Sequence, residues 1–190
     1  SHSAAYALIS YQTAYLKAHH PLSFFGALIT SEMDNTDKVI RYFNDCREMG
    51  INIMPPDVNE GQCDFSIAGD KLLFGLGAIK NVGVKAIESL IETRKGLGRF
   101  TSLQQFCENL DSGQVNRRVI ESLVKSGACD SFPDSRAFMV KHLSTFMDLG
   151  QARQRDREMG QSNFFDALDD AEATDLTELV RDCADSARRG

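Results

Sequence analysis

Val115, Val119, Ile120, Leu123 and Val124 are spaced by four and one, and the run stops at Ser126-Gly127. Residues at that interval fall on one side of a helix but on both faces of a strand, so the stretch is read as a helix buried along one side. The same period governs most of the chain. Ile87, Leu90 and Ile91 mark a helix from Val84 to about Arg94, with shorter helices over Ala78 to Lys80 and Leu103 to Leu110. At the start, Leu8, Ile9, Tyr11, Tyr15 and Leu16 gather on one side of an opening helix until His20-Pro21 interrupts it. Pro21 suits the first turn of a second helix, Leu22 to about Met33, in which Phe24, Phe25, Leu28 and Ile29 recur at core intervals. Asp34-Asn35-Thr36-Asp37 then offers caps for a third, whose stripe is Val39, Ile40, Phe43 and Cys46 and whose end is Gly50 in the left-handed conformation. A last helix is expected from about Ser135 to Arg157.

Only after Met54-Pro55-Pro56 does the period change. Phe65-Ser66-Ile67 and Leu72-Leu73-Phe74 flank Ala68-Gly69-Asp70, a β-hairpin signal. The expected fold is therefore mainly α with one small β-hairpin. A chain of 190 residues that is 42% hydrophobic and 25% charged has the composition of a globular protein with room for one sizeable domain or two small ones. No run of about 18 apolar residues exists, and Ser1-His2-Ser3-Ala4-Ala5-Tyr6 lacks a secretory pattern, so a cytoplasmic location without a membrane partner is expected. Cys46, Cys63, Cys107, Cys129 and Cys183 are odd in number and unpaired in spacing, which indicates neither a disulfide framework nor a zinc site.

The net charge of −6 hides a segregation. Residues 1–68 carry 4 basic and 8 acidic side chains, residues 69–132 carry 9 and 7, and residues 133–190 carry 8 and 12. A polyanion should therefore be sought in the middle third. There Lys80, Asn81, Val82, Gly83, Val84 and Lys85 take in a helix end, a three-residue turn whose Gly83 can take positive φ, and the start of a second helix. The free N–H groups of Gly83, Val84 and Lys85 would point out of a helix N-terminus, where their partial charge favours a phosphate oxygen. A plain helical hairpin with a glycine cap explains one such turn equally well. A second helix pair favours binding: Leu103 to Leu110 and Asn116 to Lys125 are joined through Asp111-Ser112-Gly113-Gln114, with Asn116, Arg117 and Arg118 at the turn. Two pseudo-symmetric turns can hold phosphates of both strands across a minor groove.

The words Ser1-His2-Ser3-Ala4-Ala5-Tyr6-Ala7, Leu16-Lys17-Ala18-His19-His20-Pro21, Met33-Asp34-Asn35-Thr36-Asp37-Lys38, Pro55-Pro56-Asp57-Val58-Asn59 and Phe74-Gly75-Leu76-Gly77-Ala78-Ile79-Lys80 resemble the bacterial C-family replicative DNA polymerases. They occur in the family's order from residue 1 to about 165. The resemblance implies the C-terminal part of the fingers over 1–68 and a tandem helix-hairpin-helix module over 69–132. A helix and linker over 133–165 and an acidic, disordered tail over 166–190 would follow. The sequence departs at Asn81, where the family usually has glycine, which implies a less permissive first turn. By the same resemblance the palm, with the aspartates that hold two Mg²⁺ ions, precedes residue 1, so this segment needs no cofactor of its own and binds without catalysing. His2 matches a histidine near the incoming nucleotide's sugar and would discriminate against ribonucleotides.

Gly160-Gln161-Ser162-Asn163-Phe164-Phe165 lies in a polar stretch where no helical core accounts for two adjacent aromatics. Gln161, Phe164 and Phe165 can seat an amide in a polar pocket and two rings in an apolar one. The segment resembles the family's internal sliding-clamp-binding motif, although the rings could instead pack on the domain. The implied partners are template-primer duplex, the sliding clamp and other replicase subunits. Two other readings stay open: a stand-alone helix-hairpin-helix adaptor of repair or recombination, and a structural connector with no DNA affinity.

Overall fold

A computed structural model describes residues 2–158. The opening helix α1 (His2–His19) runs almost directly into α2 (Pro21–Ser31), because Pro21 has no N–H to waste in a first helical turn. Helix α3 (Thr36–Glu48) starts where the Asn35 side chain accepts from the Lys38 N–H at 3.2 Å, and it ends into Gly50 at φ 72°. Of the four residues that offered a cap, Asn35 is the one used. Phe25, Ile29, Cys46 and Leu72 are fully buried in a first core that α2 and α3 share with a small sheet.

That sheet has three strands where the sequence indicated two. The expected hairpin forms from β2 (Ser66–Ala68) and β3 (Lys71–Leu73), turning at Gly69 with φ 62°. Strand β1 (Asn52–Met54) pairs with β3 in parallel, Ile53 opposite Leu72. Three residues before a Pro-Pro pair carry no alternation to read, so only long-range pairing reveals β1. Hydrogen bonding also crosses the expected boundary at 68/69, which falls inside the hairpin turn.

The second core begins at Val58 and runs from Leu76 to Phe146. It is enclosed by α4 (Val84–Leu97), α5 (Leu103–Asn109), α6 (Arg117–Ser126) and the first half of α7 (Arg136–Glu158). Phe74 packs against both cores. Met139 and Leu143 are completely buried, so α7, the helix expected from about Ser135, starts as part of this core.

One expectation is corrected. The helix proposed over Ala78 to Lys80 is instead a single 3-10 turn at Leu76–Ala78, after which Ile79 is extended at ψ 121°. Extended Ile79 and left-handed Asn81, at φ 69°, stop the helix there, while the first N–H groups of the turn are bonded elsewhere: the Leu76 N–H donates to the Gln62 carbonyl at 2.8 Å and the Gly77 N–H to that of Cys63 at 2.9 Å. Glycine is required there, since a Cβ on Gly75 would sit 2.8 Å from the Asp64 and Phe65 backbone. Helix α1 forms where the spacing placed it. Its apolar residues do not enter a core among the described residues: Tyr6, Leu8, Ile9 and Tyr11 are more than half exposed. Periodicity marks a side chain as coverable and does not say what covers it. Among the described residues no helix is long and apolar enough to cross a membrane.

Candidate nucleic-acid interface

The two proposed turns are built alike. In the first, Val82 is buried and its N–H closes back on the Ile79 carbonyl at 3.1 Å; in the second, Val115 is buried and its N–H bonds the Asp111 carbonyl at 2.9 Å. The next residue is the N-cap in each case, Gly83 for α4 and Asn116 for α6, both in extended backbone. Buried residues then follow in register: Ala86, Ile87 and Leu90 on α4, and Val119, Ile120 and Leu123 on α6. Buried valines seat both turns in the core and leave the cap and the next two residues outside. Val82 can therefore offer a ligand only its backbone.

The residue at positive φ is Asn81, at 69°, and not Gly83, whose φ is −81°. Asparagine is one of the few residues that enter the left-handed region at small cost, which is how this chain keeps the turn without the glycine its relatives were expected to need. The Asn81 amide also lies 3.5 Å from the Ser122 hydroxyl of α6, linking the two hairpins. At Gly83 a Cβ would meet nothing within 4 Å, so glycine there answers to no crowding within the chain. No side chain caps α4, and its first N–H groups face outward from the positive end of a 14-residue helix.

The second turn is more self-contained. Asp111 Oδ1 accepts from the Gly113 N–H at 2.8 Å, and Asn116 Oδ1 accepts from the Val119 N–H at 3.1 Å. Arg117 donates through Nη1 to the Ser144 hydroxyl on α7 at 2.6 Å. Its charge, after the hydrogen bond from Lys125, helps hold the Glu121 carboxyl below the usual range. Lys125, Arg136, Lys95 and Arg99 are ion-paired. Among the described residues Lys80, Lys85 and Arg118 have no ion-pair partner, and all three are exposed. The structure thus brings Lys80, Lys85 and Arg118 to the turns as uncommitted cations, while Asn116 also caps α6 and Arg117 also reaches Ser144.

His2 opens α1, and its side chain is not among those described. Gln161, Phe164 and Phe165 lie outside the described residues. Among the described residues no group of three or more His, Cys, Asp or Glu side chains could hold a metal ion.

A strap formed by Asp57-Val58-Asn59, which the sequence marked only as part of the family resemblance and gave no role, joins the other ends of α4 and α6. Asn59 Nδ2 donates to the Phe100 carbonyl at 2.9 Å and to Ser131 Oγ at 3.2 Å, and the Phe100 N–H donates to Asn59 Oδ1 at 2.8 Å. Asp57 Oδ1 accepts from the Asn59 N–H at 2.7 Å and from Ser131 Oγ at 3.2 Å. Arg94 Nη1 donates to the Val58 and Gly61 carbonyls at 2.9 and 3.0 Å, and the Val58 N–H donates to that of Ala128 at 2.8 Å. The readable signal was Asp57-Val58-Asn59 itself, since Asp and Asn two apart favour side-chain bonds to nearby backbone.

A family model described as a helix-hairpin-helix motif matches residues 50–139. The chain is similar to the DNA polymerase III subunit alpha of Neisseria meningitidis serogroup B, 44% identical over 172 residues, which is 90% of this chain and 15% of that protein. It is 43% identical over 178 residues to the Thermus aquaticus subunit, covering 94% of this chain and 14% of that protein. Against the Escherichia coli K12 subunit it is 42% identical over 169 residues, or 88% and 15%. The chain thus spans about 15% of the length of the curated relatives it matches.

Proposed function

The chain is a homologue of a segment of the DNA polymerase III alpha subunits and itself matches a helix-hairpin-helix motif over residues 50–139, and from that premise we propose that it holds the backbone of template-primer duplex beside a replicative polymerase site. The observation that carries the reading is the pair of matched turns, with Lys80, Lys85 and Arg118 exposed and without ion-pair partners among the described residues. Backbone N–H groups at the start of α4 donate to a phosphate oxygen, and the lysines on either side neutralise it. None of these groups reads a base edge, so the grip tolerates any sequence, as a moving polymerase requires. In this reading residues 1–68 are the C-terminal fingers and Gln161, Phe164 and Phe165 tether the protein to the sliding clamp. In the same reading, chemistry at Mg²⁺ belongs to the palm of a parent polymerase.

The test is a titration of labelled duplex at several salt concentrations. Lys80→Ala, Lys85→Ala and Arg118→Ala should each make the slope of log K against log salt shallower by about 0.9 for every phosphate no longer neutralised, and binding should vary little with sequence. Salt-independent or strongly sequence-selective binding would overturn the reading.

A further inference from the structure

We infer that the strap Asp57-Val58-Asn59 sets the separation of the two phosphate-facing turns, with Asn59 as the positioning residue. This rests on the reading that both turns meet duplex backbone.

Helices α4 and α6 each begin at one of the turns, at Gly83 and Asn116. The chain just beyond each helix's other end meets the same short segment. Phe100, three residues past α4, is held through both its N–H and its carbonyl by the one Asn59 amide; Ser131, five residues past α6, is held by that amide and by Asp57. Val58 is fully buried between them and bonds Ala128, while Arg94, in the last turn of α4, grips the strap's Val58 and Gly61 carbonyls. Pro55-Pro56 stiffens the approach from β1. The strap is thus a brace at one end of two levers whose other ends are the turns.

Lever length makes the brace matter. Helix α4 has 14 residues, or about 21 Å at the usual rise, so a tilt of about 10° at the strap moves its first turn by roughly 3.5 Å. A displacement of that size breaks an N–H···O bond to a phosphate whose partner strand is fixed by the other turn. Near the turns themselves, the one side-chain link described between the hairpins is Asn81 to Ser122 at 3.5 Å, too long to hold the spacing alone. Asn59 suits the brace because its amide donates and accepts at once, satisfying both backbone groups of Phe100 as a paired strand would.

The test uses the whole chain and mixed-sequence duplex DNA, reading affinity between 50 and 200 mM salt, with far-UV circular dichroism to verify folding. Asn59→Ala keeps every cation, yet its salt slope should become shallower by about 0.9 or more, because one turn no longer reaches its phosphate while the other is bound. Lys85→Ala, which removes a cation and spares the brace, is the reference. If Lys85→Ala is shallower but Asn59→Ala keeps the wild-type slope, even with a lowered melting temperature, Asn59 serves stability only and the inference is overturned. If Lys85→Ala also keeps the wild-type slope, the reading of the turns fails and the inference with it. Should Asn59→Ala not fold, Ser131→Ala removes one bond to Asn59 and one to Asp57, and the same outcomes decide.

Discussion

At Gly83 the demands of folding and of binding have opposite signs. The residue is an N-cap in extended backbone with open space where a Cβ would stand, so serine fits and adds a capping oxygen that glycine lacks. Gly83→Ser should leave the fold as stable or a few tenths of a kcal/mol more stable by thermal melting, while duplex affinity falls because the side chain competes for the outward N–H groups. Equal affinity for the two proteins would show that no phosphate approaches this backbone. Asn81 makes the complementary point. The sequence offered Gly83 for this left-handed φ, and a residue that looked like a departure from the family supplies the conformation the turn needs.

Among the elements, the end of α6 is the most demanding. Gly127 closes it at φ 89°, and a Cβ there would run into the Arg136 guanidinium and lie 3.1 Å from Asp130 Oδ2. Gly127→Ala should cost about 1–2 kcal/mol from backbone strain alone, read by chemical denaturation, and more if Arg136 is displaced. Arg136 leads α7 and pairs with Asp130, Nε to Oδ1 at 2.7 Å, fastening α7 to the turn after α6. The hydrogen bond from Arg136 holds the Asp130 carboxyl below the usual range. A depressed acid stabilises the fold above its unfolded pKa and loses that contribution as pH falls through its folded value. Asp130→Asn should therefore be less stable than wild type at pH 7, by less than about 1 kcal/mol for so exposed a pair, with the difference vanishing at pH well below about 3.9. A gap that persists at low pH would assign the effect to something other than this charge.

For the whole molecule, a net charge of −6 argues against nucleic acid until its distribution is seen, and the proposed affinity would be local to the uncommitted cations at the two turns. Weak duplex binding becomes sustained attachment if a second site holds the chain near DNA, and avidity can exceed either affinity by about 10² or more when the spacing suits both sites. Phe164→Ala/Phe165→Ala should abolish binding to labelled sliding clamp and leave duplex affinity unchanged. Equal clamp affinity would remove the tether, and loss of duplex binding as well would place the rings in the domain core.

The sequence by itself determined the mainly helical class, the stops at Pro21, Gly50 and Gly127, the β2–β3 hairpin and the two turns with their cations. Each of these is local: a cap, a period of about 3.6 or a two-residue turn is written within a few positions of itself. Tertiary structure alone decided that β1 pairs in parallel with β3, that Asn81 and not Gly83 takes positive φ, and that Arg117 reaches Ser144. It also brought Asn59 to Phe100 and Ser131, 41 and 72 positions away, and left exposed the Leu8, Ile9 and Tyr11 that helical spacing gathers on one side. The physical reason is shared: hydrogen-bond partners and covering surfaces distant in the chain are chosen by how whole elements pack, and no local pattern encodes that choice.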